Sequence, residues 1–302
     1  MNSRNVLLPV SLLGAWVLLG QCAPADHAEV GNRRDSRRPE ATSLLGKPLF
    51  SDSGDPQVLS AIDRELDADP DNPEVLLRKG LALEDARRFN EAIDLYSRWL
   101  VREPTNVALL RRRGHRYINI RKHAAAVADL KKAAALHEFR KVEHLGYKDN
   151  LHWAIGYYLG LAYYLQGNLD QALASFEHSY IYCADKTSLL ASTNWVHNIL
   201  RRLGRFDQAR RILEPIDESS GFSGNYYRNI LVYKGLRKES DVFNEQSARG
   251  FVLGTMGYAM ASWRLSNGDE AGAVRLLRRV AGSESWHSNG VMAAEADLAA
   301  RK

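Results

Sequence analysis

From Pro56 to the end of the chain, apolar residues return at helical spacing. Val58, Leu59, Ile62 and Leu66 form one stripe on a first helix, opened by Asp55-Pro56 and stopped before Pro70. A longer rhythm follows. Pro70, Gly80 and Ala92 return 34 residues later as Pro104, Gly114 and Ala126, with Leu76, Leu83 and Tyr96 answered by Leu110, Tyr117 and Leu130. The pattern recurs in Gly156, Leu159-Gly160, Tyr163, Gly167-Asn168, Ala172 and Phe176. Gly160 lies 46 residues after Gly114, so about a dozen extra residues sit near His137–Asn150. A fourth unit carries Val196, Leu200, Gly204-Arg205, Ala209 and Leu213. A shortened hairpin is expected at Tyr226–Gly235, with a brief helix near Glu239–Phe243.

The offsets have a packing reason. Gly80, Gly114 and Gly160 fall in first helices and Ala92, Ala126 and Ala172 in second helices, where small residues let the axes approach to roughly 8–10 Å. Tyr96, Tyr117, Tyr163 and Phe176 fill the space between hairpins. Gly167, Gly204 and Gly268 supply left-handed turns. Each hairpin has two apolar faces and must stack. A change such as Gly160→Leu should therefore cost several kcal/mol by overpacking.

This spacing of proline, small and aromatic residues resembles the tetratricopeptide repeat. The resemblance implies an all-α fold, a right-handed α-solenoid of antiparallel helix pairs. The expected boundaries are a solenoid over 55–302, with repeats at about 73–104, 107–135, 153–184, 190–216, a divergent 223–247 and 250–281. An Ala-rich helix over 287–301 is expected to cap the open end. Arg113-Gly114-His115-Arg116-Tyr117-Ile118, Trp153–Tyr158 and Ala293–Ala299 are similar to a family of exported bacterial repeat proteins, over most of 41–300. That likeness transfers no catalytic residue.

In the repeat superfamily the first helix of each pair lines a concave groove. The implied groove residues are Arg111, His115, Asn119, Tyr157, Tyr164, Asn194, Asn198, Arg201 and Tyr258, with Ser262 beside them and Leu77, Leu81 and Glu84 at the mouth. Arginine holds carboxylates through paired hydrogen bonds, asparagine holds peptide groups, and tyrosine adds contact area. The set is loosely similar to the clamp of chaperone-tail adaptors and does not reproduce it. Solvated surface is the competing reading of these side chains. The partner implied is a protein or peptide, bound without a cofactor.

Composition narrows the picture further. A net charge of +5 spread over 302 residues, with no nucleic-acid motif, argues against DNA or RNA partners. Residues 1–25 read as a signal peptide: Arg4, an apolar run over Val6–Gly20 too short to span a bilayer, then Ala23-Pro24-Ala25. Leu19-Gly20-Gln21-Cys22 resembles a lipobox, though Gln21 is larger than that motif allows, so Cys22 is a candidate for lipidation and membrane tethering. Export to the periplasm or beyond is expected, with a membrane-anchored lipoprotein as the alternative. Residues 26–54, rich in arginine and turn formers, read as a flexible linker. Cys183 has no second cysteine in the folded part and reads as a small buried hydrophobe.

No nucleophile elbow, phosphate loop or H-E-x-x-H is present, so the chain reads as non-enzymatic. His137, His144 and His152 are the densest histidine group. On one helix, His137 and His144 would lie about 10 Å apart along the axis, too far for one metal ion. No metal site is assigned.

Overall fold

The structure is a computed structural model and describes residues 38–52, 54–138, 150–183 and 185–301. Helix α1 (Pro56–Ala68) leads into four hairpins: α2 (Pro73–Asp85) with α3 (Phe89–Arg102), α4 (Val107–Asn119) with α5 (His123–Glu138), α6 (Leu151–Leu165) with α7 (Leu169–Ile181), and α8 (Lys186–Arg202) with a short α9 (Phe206–Arg211). Then come α10 (Asn225–Tyr233) and α11 (Glu239–Val242). One continuous run follows: α12 (Gly250–Val252), a π-helical turn (Leu253–Gly257) and α13 (Tyr258–Ser266). Helices α14 (Glu270–Ala281) and α15 (Asn289–Ala299) complete an all-α solenoid of antiparallel helix pairs.

Local chemistry starts the helices. Asn72, Asn106 and Asn150 each accept backbone N–H groups at the start of α2, α4 and α6, and Asp55 does so for α1. Close approach then joins each pair. A Cβ on Gly160 would stand 2.7 Å from the Phe176 ring, and one on Gly114 would stand 2.8 Å from Leu130. Phe176 is fully buried and stacks on Trp195 at 5.2 Å.

The turns between paired helices divide into two kinds. Gly167, Gly204 and Gly268 carry φ of 79°, 72° and 87°. At the same place in the first two hairpins stand Arg87 (φ 55°) and Arg121 (φ 64°). A non-glycine residue in this region costs energy, so these arginines are kept for what their side chains reach. Arg87 pairs with Asp52 at 3.2 Å, and Arg121 pairs with Glu295 at 2.6 Å. Each arginine thus ties a turn to a distant part of the chain.

Three expectations need correction. The linker expected over 26–54 is ordered in its described part. Strands β1 (Ala41–Thr42) and β2 (Pro48–Leu49) pair antiparallel, with Ala41 opposite Leu49. Leu49 packs with Phe89, Ile93, Ile120 and Trp286, and Asn90 donates to the Glu40 carboxylate. The apolar Leu49-Phe50 pair outweighs the turn-rich composition around it. Residues 26–37, like the signal peptide and Cys22, lie outside the described residues. Cys183 is half-buried between α7 and α8, and burial raises its thiol pKa. Finally, α15 does more than close an end. It packs on α14, and it also runs along the inner side of the solenoid against α6, α13 and the π-helical turn.

Two buried polar knots hold α15 inside. Glu295, 1 % exposed, accepts from Arg121 through Nε (3.0 Å) and Nη2 (2.6 Å) and from the Leu44 N–H (3.3 Å). Asp297 accepts from Arg202 (2.7 Å) and from the Tyr258 hydroxyl (2.9 Å), which also bonds Tyr164. Just before α15, Trp286 donates to the Phe50 carbonyl and meets Phe89 edge-on at 5.4 Å. Both ends of the array therefore meet. Among the described residues no helix is long and apolar enough to cross a membrane.

Candidate functional site

Residues of α4, α6, α8 and α13 gather around the start of α15, which takes up part of the space between them. What remains is a cavity of about 220 Å³. Its wall brings together His115 and Asn119 of α4, Asn194 and Asn198 of α8, and Tyr258 of α13, five of the nine residues expected in the groove. Arg116, Tyr158, Trp195, Tyr226, Thr255, Ala259 and the segment His287–Gly290 complete it, with Phe251 at the rim. Tyr226 and Tyr233 of α10 lie against Asn194 and Asn198, and the segment before α15 lies against Asn119. Solvated surface, the competing reading, does not describe Asn119 (1 % exposed), Asn194 or Asn198.

Asparagine amides fix the wall. Asn119 donates to the His287 carbonyl at 3.0 Å. Asn194 donates to the Tyr226 carbonyl and accepts from the Tyr233 hydroxyl at 3.0 Å. Asn198 donates to the same Tyr233 oxygen at 3.3 Å. Oδ1 of Asn119, Nδ1 of His287 and Oγ of Ser288 have no partner, so the wall holds unspent hydrogen-bonding capacity. Glycine lets α15 come this close: a Cβ on Gly290 would collide with the Gly254 carbonyl in the π-helical turn. Turns of that kind are frequent at functional sites.

The other expected groove residues lie elsewhere. Tyr157 sits behind the wall, its hydroxyl accepting from Trp195 at 2.9 Å and Asn289 at 3.4 Å. Tyr164 belongs to the Asp297 knot. Arg111 is buried in α4 and does not line the cavity. Arg201 lies in a different hollow, beyond α8. Glu84 is no groove mouth: it accepts from Tyr96 at 2.7 Å and Arg112 at 3.2 Å. Sequence reasoning missed Tyr158, Trp195, Tyr226 and His287–Gly290. The available signal was the pair Glu295 and Asp297 on an otherwise Ala-rich helix, since two inward acids need cationic hosts.

The charge state of the wall follows from burial. His115 is held well below the ordinary imidazole range by burial and then by the neighbouring Arg116, and His287 is lowered to about 4 by burial, with Arg87 adding to it. Both rings are neutral near pH 7, so the cavity offers amides, aromatic faces and uncharged imidazoles beside the Arg116 guanidinium. His115 stacks on Tyr158 at 3.7 Å between ring centres. In the inserted region, His137 and His152 meet at 3.9 Å, and His144 lies outside the described residues. Among the described residues no three His, Cys, Asp or Glu side chains gather as a metal site would need.

His197, on the far side of α8, gives a pH prediction. It is 2 % exposed and its pKa is lowered to about 4, chiefly by burial. Between about pH 6.5 and 4 the unfolded ring takes a proton that the folded one refuses, so stability is full above pH 6.5 and falls with acidification. Going from about pH 7 to 5 should remove about 2 kcal/mol through this residue. Urea midpoints at the two pH values check it, and His197→Gln should show a smaller difference than the unaltered chain.

The tetratricopeptide-repeat family matches residues 59–107 and 111–181, and a second family of the same repeat matches 198–215. Over these residues the chain carries tetratricopeptide repeats. MamA, in a crystal structure, is 21 % identical over 59 % of this repeat protein and 90 % of its own chain, with a TM-score of 0.44. A tetratricopeptide repeat protein from Parabacteroides merdae ATCC 43184 is 14 % identical over 78 % of this chain and 90 % of its own, with a TM-score of 0.49. No curated protein matches. Tetratricopeptide-repeat proteins generally mediate protein–protein interaction and are generally non-catalytic, which makes this chain a protein-interaction scaffold in that general sense.

Proposed function

We propose that the chain is a scaffold of the bacterial cell envelope that receives one anchoring side chain of a protein partner in its central cavity. The observation that carries this is the convergence of His115, Asn119, Asn194, Asn198 and Tyr258 on one cavity behind an exposed Phe251. A long peptide does not fit along the inner face while α15 lies there. A volume of about 220 Å³ suits a single large side chain with a polar tip. Phe251 is 62 % exposed and Val252 beside it 41 %, so the mouth has the apolar rim that a docked partner would cover.

Capture from envelope extract tests the reading. Phe251→Ala should leave the melting temperature unchanged and cut recovery of the partner at least about tenfold. Asn198→Ala should weaken recovery as well. Equal recovery by the unaltered chain and both variants would refute the assignment. Export is proposed from the signal-like start of the chain. Mass spectrometry of the mature N-terminus separates its two forms: a lipid-modified Cys22 marks an anchored scaffold, and a free Asp26 marks a soluble one.

A further inference from the structure

A second hollow, of about 450 Å³, lies where α8, α9 and α10 meet, apart from the central cavity. Arg201, Arg210 and Lys234 line it, with Glu214 as the one carboxylate among the lining residues, and His197 and Phe206 beside them. Its size falls in the range of small-molecule sites.

Two of the cations here lack the close carboxylate partner that several buried arginines of the fold have. Arg113, Arg121, Arg202 and Arg264 each sit on a carboxylate within 3 Å. Arg201 donates instead to the Ser266 carbonyl and to Oδ1 of Asn267, both at 3.0 Å, and its Nε has no partner. Its guanidinium is fixed beside the rings of Phe206 (5.1 Å) and Trp263 (5.0 Å), which orient it without neutralising it. Lys234 donates to two carbonyls, of Leu213 (3.3 Å) and Ile216 (2.6 Å), leaving one of its three N–H groups unspent. Arg210 pairs only with Asp207, in an exposed contact that water screens.

His197 adds a complementary group. It is 2 % exposed, and its Nδ1–H donates to the Ala209 carbonyl at 2.9 Å. The lone pair is then on Nε2, which has no partner. Stacking on Tyr233, at 4.4 Å and 15° between planes, fixes the ring.

We propose that this hollow binds a small phosphate monoester. Two fixed cations without carboxylate partners call for a ligand with close to two negative charges, which a monoester carries near neutral pH and a single carboxylate does not. The planar donors of Arg201 and the remaining N–H of Lys234 match phosphate oxygens. A hydroxyl on the organic part of the ester, as in glycerol phosphate, would donate to the Nε2 of His197. Phe206, 55 % exposed, offers an apolar face for the organic part of the ester.

The test is calorimetric titration of the full chain with glycerol phosphate, with succinate and glycerol as comparison probes. Glycerol phosphate should bind at one site, and Lys234→Gln should weaken it at least about tenfold. Arg210→Gln, at an exposed position that folding does not need, should weaken it by roughly threefold. Arg205→Gln, outside the hollow, and Phe251→Ala, at the central cavity, should leave it unchanged, so this result stands or falls independently of the proposed protein-binding site. Vesicles with and without phosphatidic acid separate two sources of the same chemistry. Binding to them that Lys234→Gln abolishes assigns a lipid headgroup, and binding of the free ester alone assigns a solute. Absence of binding up to about 10 mM glycerol phosphate overturns the proposal. So does succinate binding of equal strength, or binding that neither Lys234→Gln nor Arg210→Gln alters.

Discussion

Replacing Glu295 with alanine should cost the fold about 3–5 kcal/mol, because it strands a buried arginine. Arg121 is 4 % exposed in its side chain, and both of its carboxylate hydrogen bonds go to Glu295. Its remaining partners are the carbonyls of Asn119 and Trp286, which carry no charge. The Leu44 N–H loses its acceptor in the same step. The thermal midpoint should fall by roughly 10 °C. A second variant separates the ion pair from mere contact loss. In the Arg121→Gly/Glu295→Ala chain no charge is left stranded, and a glycine takes the φ of 64° without strain. That double variant should recover part of the loss, giving a coupling of more than about 1 kcal/mol in a denaturation cycle. Additive losses would show that the pair does not work as a unit.

Gly160→Leu should destabilise the chain by at least about 3 kcal/mol, at the top of the range for overpacked cores. The Cβ alone would stand 2.7–2.9 Å from three carbons of Phe176. That ring cannot withdraw easily. It lies flat on Trp195 and meets Tyr157 edge-on at 5.4 Å, and Trp195 is fixed by its own hydrogen bond to Tyr157. Gly160→Ala is the informative companion. Alanine favours the helix by about 1 kcal/mol over glycine, so a net loss in that variant isolates the packing clash. Chemical denaturation of both measures the effect. A Gly160→Leu chain within about 1 kcal/mol of the unaltered one would mean that α6 and α7 do not depend on this close approach.

The repeat rhythm made the helices legible because it expresses local rules: asparagine caps, glycines at helix crossings and left-handed turns. Gly160 facing Phe176 could be read from one 34-residue unit. The candidate site was legible only in part. Stepping along first helices found His115, Asn119, Asn194, Asn198 and Tyr258, since their direction is set by helix periodicity. It did not find what faces them. Glu295 and Asp297 looked like the polar side of a capping helix, because nothing local distinguishes an acid turned to water from one turned to a distant arginine. Arg121 was the missed clue. It stands seven residues after Gly114, where the next unit has Gly167 seven after Gly160, and an arginine in a glycine's place asks what it is reaching for. Leu49 was hidden for a related reason, since its neighbours Phe89 and Trp286 stand far from it in the sequence, Trp286 near the other end.

The meeting of the two ends changes how such an array can assemble. In an open solenoid each unit gains its support from the one just synthesised. Here Arg121 must wait for Glu295, 174 residues later, and Phe50 for Trp286, 236 residues later. The early hairpins therefore leave the ribosome with Arg121 still lacking its carboxylate and the inner wall uncovered, and both stay so until residues 286–297 have been made. A chain cut before Trp286 would carry most of the repeats and still present an uncovered interior to chaperones and proteases.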